Sequence, residues 1–151
     1  MEKFSITFME AALYEANKAF LLQEVPVGCV ITHNGEIIGS GHNQVIKDNL
    51  VSSHAEIKAI ENASYRLENY RLINCDMYVT LEPCHMCAKA IVDARIRHLY
   101  FGALEPKTGA IVSIDSFLDA SHLNHKVGYS SGYLASDSAN LLKSFFRSKR
   151  S

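Results

Sequence analysis

The chain has 151 residues, of which 48% are hydrophobic and 21% are charged, and its formal net charge is −1. This length and composition predict one soluble domain spanning residues 1–151, and they exclude a disordered, collagen-like or low-complexity protein. Because no apolar run approaches the roughly 18 residues of a membrane span and no secretory signal is recognisable, we expect a cytoplasmic protein without a membrane partner.

The first half of the chain predicts a helix, a β-hairpin and a second helix. Asn34-Gly35 stands between two β-type runs and is a strong hairpin signal. The second helix has Ser52 or Ser53 available as its N-cap. In chain order, the helix, the two hairpin strands and the second helix are predicted at residues 5–22, 25–32, 37–43 and 54–67.

In the second half of the chain, strands alternate with helices. The breaker Glu82-Pro83 separates a strand from the helix after it, and Pro106 and Gly109 mark an irregular stretch. The predicted strand, helix, strand, strand and helix occupy residues 77–81, 84–94, 98–102, 126–131 and 136–149. Since such alternation forms crossover units with parallel pairing, we predict an α/β protein, a three-layer α/β/α sandwich with a mixed central sheet of about five strands.

The four cysteines are of two kinds. Cys29 and Cys75 each lie alone in a strand-like run, which is typical of small buried hydrophobic residues. Cys84 and Cys87 form a Cys-X-X-Cys pair, which in a reducing compartment indicates metal or redox chemistry rather than disulfides. A closed metal site of all four thiolates is the alternative to this division.

The cysteine pair and the segment His54-Ala55-Glu56 together predict a catalytic zinc site. Cys84 and Cys87 lie one helical turn apart at a helix start, where free N–H groups favour thiolates. His54 begins the preceding helix, and both helix starts are expected at the same edge of the sheet. Three protein ligands leave a fourth position for water. Glu56 can exchange protons with this water without binding the metal. The pattern H-X-E…P-C-X-X-C is the signature of zinc deaminases.

Two other interpretations of these residues are a redox-active cysteine pair and a non-catalytic zinc module that binds RNA. The first leaves the His-Ala-Glu segment unexplained, and the second leaves Glu56 without a role. His85, between the two cysteines, points in a different direction on a helix, so we do not expect it to bind the metal. We expect the Glu82 side chain to be structural.

Beyond the zinc signature, the chain resembles the bacterial tRNA-specific adenosine deaminases, a family within the cytidine-deaminase-like superfamily. The resemblance extends over nearly the whole chain, from Glu24-Val25-Pro26-Val27-Gly28 to Phe145-Phe146-Arg147. The segments that carry it most specifically are Gly41-His42-Asn43, His54-Ala55-Glu56-Ile57, Tyr70-Arg71-Leu72-Ile73, Tyr78-Val79-Thr80-Leu81-Glu82-Pro83-Cys84, Lys107-Thr108-Gly109 and Leu123-Asn124-His125-Lys126-Val127.

The resemblance implies conversion of adenosine to inosine at the wobble position, position 34, of a tRNA anticodon, chiefly that of an arginine tRNA. It also implies one Zn2+ per subunit and a homodimer in which the neighbouring chain helps to bind the RNA. Asn43 would hydrogen-bond the purine, and Val27 would pack against it. The further substrate-binding residues that it implies are Ala55, Glu105, Lys107, Phe145, Arg147 and Arg150.

The chain departs from the family pattern at Leu104-Glu105-Pro106. Many relatives have Arg-Asp before the Lys-Thr-Gly segment, so here the acid is one methylene longer and a cation is lost. The zinc chemistry is unaffected by this change, whereas the family's anticodon-loop contact at this position is altered. A deaminase of a free base or nucleotide, such as guanine or cytosine, is the alternative function, because the zinc motif is common to both classes.

The net charge of −1 conceals an acidic body and a basic tail. All 16 acidic residues lie at or before Asp137, and the residues after it include four cations, Lys143, Arg147, Lys149 and Arg150. Cations suit a helix C-terminus through the macrodipole, and they equally suit a surface that contacts phosphates. The last predicted helix is therefore either a solvated helix end or part of an RNA-binding surface.

Overall fold

The computed structural model describes residues 3–150 of the chain. Five helices, α1 to α5, span Ile6–Leu21, Val45–Asp48, Ala55–Leu67, His85–Asp93 and Ala135–Arg150. Five strands, β1 to β5, span Gly28–His33, Glu36–His42, Cys75–Leu81, His98–Ala103 and Gly128–Ser131. A 3-10 turn covers Phe117–Asp119 within the stretch that was predicted to be irregular.

The five strands form one mixed sheet in the order β2-β1-β3-β4-β5. Strand β1 pairs antiparallel with both β2 and β3, whereas β3, β4 and β5 run parallel. The parallel half is built by crossovers, since α4 connects β3 to β4. The predicted mixed sheet of five strands is confirmed.

Side chains alternate between the two faces of the sheet, and each face carries its own apolar cluster. On one face Val30, Tyr78 and Tyr100 pack against Met9 and Ala12 of α1. On the other face the next residues along the same strands pack against α3 and α4; they include Ile31, Met77, Val79, Leu99 and Phe101. Helices therefore cover both faces, and the predicted three-layer sandwich is confirmed.

The remaining sequence predictions for the core hold, with shifts at element ends. Cys29 and Cys75 are fully buried in the cluster that faces α3 and α4, as expected for small apolar residues. Strand β1 begins at Gly28 rather than at Val25, and β3 begins at Cys75 rather than at Met77. Within residues 3–150, no helix has the length and apolarity needed to cross a lipid bilayer.

The start of α3 differs from the prediction. Its N-cap is His54, whereas Ser52 or Ser53 was expected there. The Ser53 hydroxyl instead donates a 2.8 Å hydrogen bond to Asp48 Oδ2, at the end of the unpredicted one-turn helix α2. The serine therefore stabilises the segment that leads into the helix, and the cap position is left to a histidine.

Close packing of α3 on β2 depends on glycine. A Cβ at Gly41 would lie 2.7 Å from the Ala55 carbonyl oxygen and 2.7 Å from the Ala59 nitrogen, closer than such atoms approach. Gly39 faces Ala59 and Ala63 in the same way. This helix face therefore lies directly on the strand, which fixes the position of the residues at the start of α3.

Candidate metal centre and active site

Two helix N-termini bring the three predicted metal ligands together. His54 is the N-cap of α3, Cys84 is the N-cap of α4, and Cys87 lies in the first turn of α4. The two N-cap residues have extended backbones and neither caps its own helix with its side chain. His54 Nδ1 lies 3.7 Å from Cys84 Sγ and 3.5 Å from Cys87 Sγ. Nδ1 is thus the ring nitrogen of His54 that faces both sulfurs.

This geometry fits a zinc ion. Tetrahedral coordination with Zn–S of about 2.3 Å and Zn–N of about 2.1 Å places nitrogen and sulfur about 3.6 Å apart. The observed separations of 3.7 and 3.5 Å match that value. One nitrogen and two sulfurs are also a donor set that zinc prefers, and three protein ligands are typical of a catalytic rather than a structural site.

The two thiols differ in acidity. A hydrogen bond from the Cys87 thiol lowers the pKa of Cys84 to about 3, against the effect of burial, and the neighbouring His54 lowers it further. The pKa of Cys87 is raised well above its usual range, because it donates to Cys84 and is buried. The surroundings of Cys84 therefore favour a thiolate, the form in which cysteine binds a metal.

Glu56 lies in the first turn of α3, two residues after the histidine ligand, and only 3% of its surface is exposed. Burial raises the pKa of its carboxyl to about 7, and the negative charge of Cys84 adds to the shift. A carboxyl with a pKa near 7 can both accept and donate a proton at neutral pH. Glu56 is therefore suited to general acid–base catalysis beside the metal ligands.

Two of the predicted metal ligands and Glu56 face a cavity of about 330 Å³, large enough for one base. His54, Glu56 and Cys84 form the metal end of this cavity. Four of the predicted substrate-binding residues also line it, namely Val27, Asn43, Glu105 and Phe145. The rest of the wall is formed by Glu24, Val25, Val45, Ile46, Leu81, Glu82 and Thr108.

The other predicted substrate-binding residues lie outside the cavity wall. Ala55 is buried, and its N–H donates a 2.8 Å hydrogen bond to Asn43 Oδ1, so that it orients the side chain that lines the cavity. Lys107, Arg147 and Arg150 are exposed on the surface. Lys107 contacts a cavity residue through its backbone, since its N–H donates to Glu105 Oε1 at 3.0 Å.

Two glutamates and one histidine complete the surroundings of the site. The sequence analysis did not identify Glu24, whose carboxylate accepts hydrogen bonds from the N–H groups of Ile46 at 3.1 Å and Lys47 at 2.8 Å. No local signal predicts this contact, because it joins distant segments. Glu82, which the sequence predicts to be structural, is buried and hydrogen-bonded, and it also lines the cavity. His85 pairs with Asp115 at 2.7 Å and is not among the grouped ligands.

Comparison with known proteins agrees with this site. Residues 2–103 match the family described as cytidine and deoxycytidylate deaminase zinc-binding region. The tRNA-specific adenosine deaminase of Streptococcus pyogenes serotype M1 is 45% identical over 143 residues, which are 95% of this chain and 84% of that protein. The corresponding enzyme of Agrobacterium fabrum is 46% identical over 143 residues, 95% of this chain and 94% of that protein.

Solved structures show the same fold. A structure from work on A-to-I editing by tRNA:A34 deaminases has a TM-score of 0.88 and 44% identity, and the match covers 91% of this chain and 99% of that one. A guanine deaminase from Nitrosomonas europaea has a TM-score of 0.79 at 21% identity, covering 96% and 86%, which shows the fold alone. The chain belongs to the tRNA-specific adenosine deaminase family, within the zinc-binding cytidine and deoxycytidylate deaminases.

Proposed function

We propose that this protein is a zinc-dependent deaminase that converts adenosine to inosine at position 34 of a tRNA anticodon, with an arginine tRNA as its substrate. The observation that carries the proposal is the buried Glu56 carboxyl, which faces the same base-sized cavity as His54 and Cys84 of the cluster that they form with Cys87. The identity of 43–46% to tRNA-specific adenosine deaminases supports tRNA as the substrate class.

In this proposal His54, Cys84 and Cys87 hold one zinc ion per chain. When bound there, zinc would lower the pKa of a water molecule toward neutrality. Glu56 accepts a proton from the attacking water and delivers it to N1 of the adenine ring. A C6–O bond forms, and Glu56 then takes the remaining proton of the new C6 hydroxyl and passes it to the amine, so that the C6–N bond breaks and the C6 carbonyl forms. The products are inosine and ammonia.

Substrate binding is proposed to use the cavity and its rim. Asn43, whose amide oxygen is occupied by the Ala55 N–H, directs its amide NH2 to the purine, and Val27 packs against the base. Glu105 also lines the cavity, and its carboxylate accepts a hydrogen bond from the Lys107 N–H. The adenine must be turned out of the anticodon loop, which is less costly than extrusion from a duplex. Phe145, Arg147 and Arg150 would contact the RNA beside the cavity.

We propose that the protein acts as a homodimer in the cytoplasm, where tRNA is found. Large apolar side chains are exposed on residues 45–51 and 104–116, two segments that also contribute to the cavity wall. Val51 is 84% exposed, Ile46 67% and Ile114 54%. A second copy that covers them would extend the RNA-binding surface. Sedimentation analysis should give twice the mass of one chain; a monomer at working concentration would contradict the dimer.

The function is tested by incubating the zinc-loaded protein with total tRNA and sequencing the tRNA for inosine. We expect inosine only at position 34 of arginine tRNA, with no comparable release of ammonia from adenosine, guanine or cytidine. Turnover of a free base or nucleoside without inosine in tRNA would favour the free-base deaminase instead. The Glu56→Gln variant is the matched inactive control.

A further inference from the structure

A buried carboxylate beside the metal ligands has no part in the proposed chemistry. Glu82 directly follows β3, lies two residues before Cys84, and is 3% exposed. It receives five hydrogen bonds from the described part of the chain. Its donors are Glu105 N–H at 3.0 Å, Ile111 N–H at 3.0 Å, Val112 N–H at 2.8 Å, Ser113 N–H at 3.0 Å and the Ser113 hydroxyl.

All five donors belong to one segment, which we call the 104–116 loop. Glu105 is near its start and Ser113 near its end, so a single carboxylate holds both ends of the loop. Four of the donors are backbone N–H groups, which form a nest around the negative charge. Gly109 is packed directly on this carboxyl, and a Cβ there would overlap the Glu82 oxygens.

The 104–116 loop carries part of the cavity wall. Glu105 and Thr108 line the cavity, while Glu82 belongs to the turn that leads into the predicted metal ligand Cys84. The turn and the loop are also joined by the Ala110 N–H, which donates to the Pro83 carbonyl at 2.9 Å. The Glu82 side chain therefore fixes the distance between the metal end of the cavity and its substrate-facing wall.

We propose that Glu82 is a positioning residue for the nucleic-acid substrate, which sets the 104–116 loop against the metal-ligand turn and so governs substrate binding more than the chemical step. The proposal rests on the proposed function, since it assigns the loop to RNA binding. Its structural part, that the carboxylate orders the loop, is measurable without any substrate.

The test uses the zinc-loaded protein with three substitutions. Glu82→Gln keeps the side-chain shape but turns an NH2 group toward backbone N–H donors, so it releases the loop. Gly109→Ala disturbs the same contact from the loop side, and Ser113→Ala is a milder variant that removes the hydroxyl donor alone. Each variant is assayed for zinc content, for amide hydrogen exchange at Ile111 and Val112, and for kcat and KM on an anticodon stem-loop.

We expect Glu82→Gln to retain one zinc per chain, to exchange the loop amides faster, and to raise KM roughly tenfold with a smaller change in kcat. Ser113→Ala should shift the same quantities less. Because Glu82→Gln and Gly109→Ala disrupt the same contact, the KM and the loop exchange rates of the double variant should equal those of the more severe single variant.

Asp76→Asn is the matched control. Asp76 is equally buried, lies near the start of β3 about 20 Å from Glu82 at 3.3 Å per residue, and accepts hydrogen bonds from Arg97. This control should lower stability but leave KM unchanged. Unchanged loop exchange in Glu82→Gln, or a loss of kcat at constant KM, would overturn the proposal. If the wild type forms no inosine in tRNA, the proposed function fails, while the exchange data still decide whether Glu82 orders the loop.

Discussion

Glu56 combines deep burial with a position two residues after a metal ligand, and its carboxyl is the acid–base group that the proposed reaction needs. We expect Glu56→Gln to keep its zinc and its fold, because the amide has the same shape and the ligand set is intact. Deamination should fall by a factor of about 10²–10⁴, the usual contribution of a positioned proton-transfer group. Single-turnover inosine formation, with zinc measured in the same sample, checks this.

Glu61 provides the control for that substitution. It lies on the same helix, but its side chain is half exposed and forms a surface ion pair with Lys58. Glu61→Gln should leave the rate unchanged. Substantial turnover by Glu56→Gln with full zinc occupancy would show that another group moves the proton.

The hydrogen bond between Ser53 and Asp48 should make the stability of the fold depend on pH. The Ser53 hydroxyl lowers the pKa of Asp48, and Lys58 lowers it further. Since the folded pKa is below the usual 3.8, the interaction stabilises the fold above that pH and is lost as the pH falls through the folded pKa. Ser53→Ala should raise the pKa of Asp48 toward 3.8 in an NMR titration.

The neighbouring serine is the control for this titration. Ser52 is exposed, so Ser52→Ala should leave the pKa of Asp48 unchanged. The stability difference between wild type and Ser53→Ala should be present at neutral pH and shrink below about pH 3.8. Equal pKa values of Asp48 in the two variants would contradict the assigned hydrogen bond.

The sequence predicts the role of a residue only where that role depends on nearby residues in the chain. His54, Glu56, Cys84 and Cys87 are recognisable because metal chemistry imposes short spacings at two helix starts. The side chain of Ser53 could have capped α3, and only the fold shows that it bonds to Asp48 instead.

At the scale of elements, the contact between β2 and α3 determines where the site lies. A methyl group at Gly41 would meet the Ala55 carbonyl and the Ala59 nitrogen, and α3 would have to move away from the sheet. We expect Gly41→Ala to lower the free energy of unfolding by about 1–3 kcal/mol. It should also weaken zinc binding, because His54 begins this helix. Denaturant unfolding and a competitive zinc chelator measure the two effects.

Ser40→Ala is the control for this packing prediction. Ser40 lies between Gly39 and Gly41 and points to the opposite face of β2. The Ser40→Ala variant should retain wild-type zinc affinity. If the Gly41→Ala variant also retained wild-type zinc affinity, α3 would be able to shift without moving its first turn.

The periodic elements were predictable, whereas the elements fixed by distant contacts were not. The apolar faces of α1, α4 and α5 and the Asn34-Gly35 turn are local patterns, and they helped to predict the order of helices and strands. Helix α2 has only four residues, and two of its N–H groups are held by Glu24 from a different segment. Its sequence alone has no strong helical pattern, so the contact that stabilises it is visible only in three dimensions.

At the scale of the whole molecule, charge is separated between an acidic body and the basic end of α5. Arg147 and Arg150 are exposed there, on the same helix as the cavity residue Phe145. If they contact phosphates, replacing each with glutamine should weaken tRNA binding and reduce the salt dependence by about one unit of slope per contact. Binding titrations at several salt concentrations measure this. Arg66→Gln, an exposed change at the far end of α3, should alter neither quantity.

We expect zinc to stabilise the fold without being required for it, because neither apolar cluster of the sheet includes a predicted metal ligand. Chelation should therefore leave the far-UV circular dichroism unchanged and lower Tm. Zinc at about 1,000 times its dissociation constant adds about 4 kcal/mol, which corresponds to about 10 °C in a domain of this size. Cys87→Ser should lose this zinc-dependent rise, whereas Cys29→Ala should keep it. If the metal-free protein were unfolded, the fold would depend on zinc binding rather than on the apolar clusters on the two faces of the sheet.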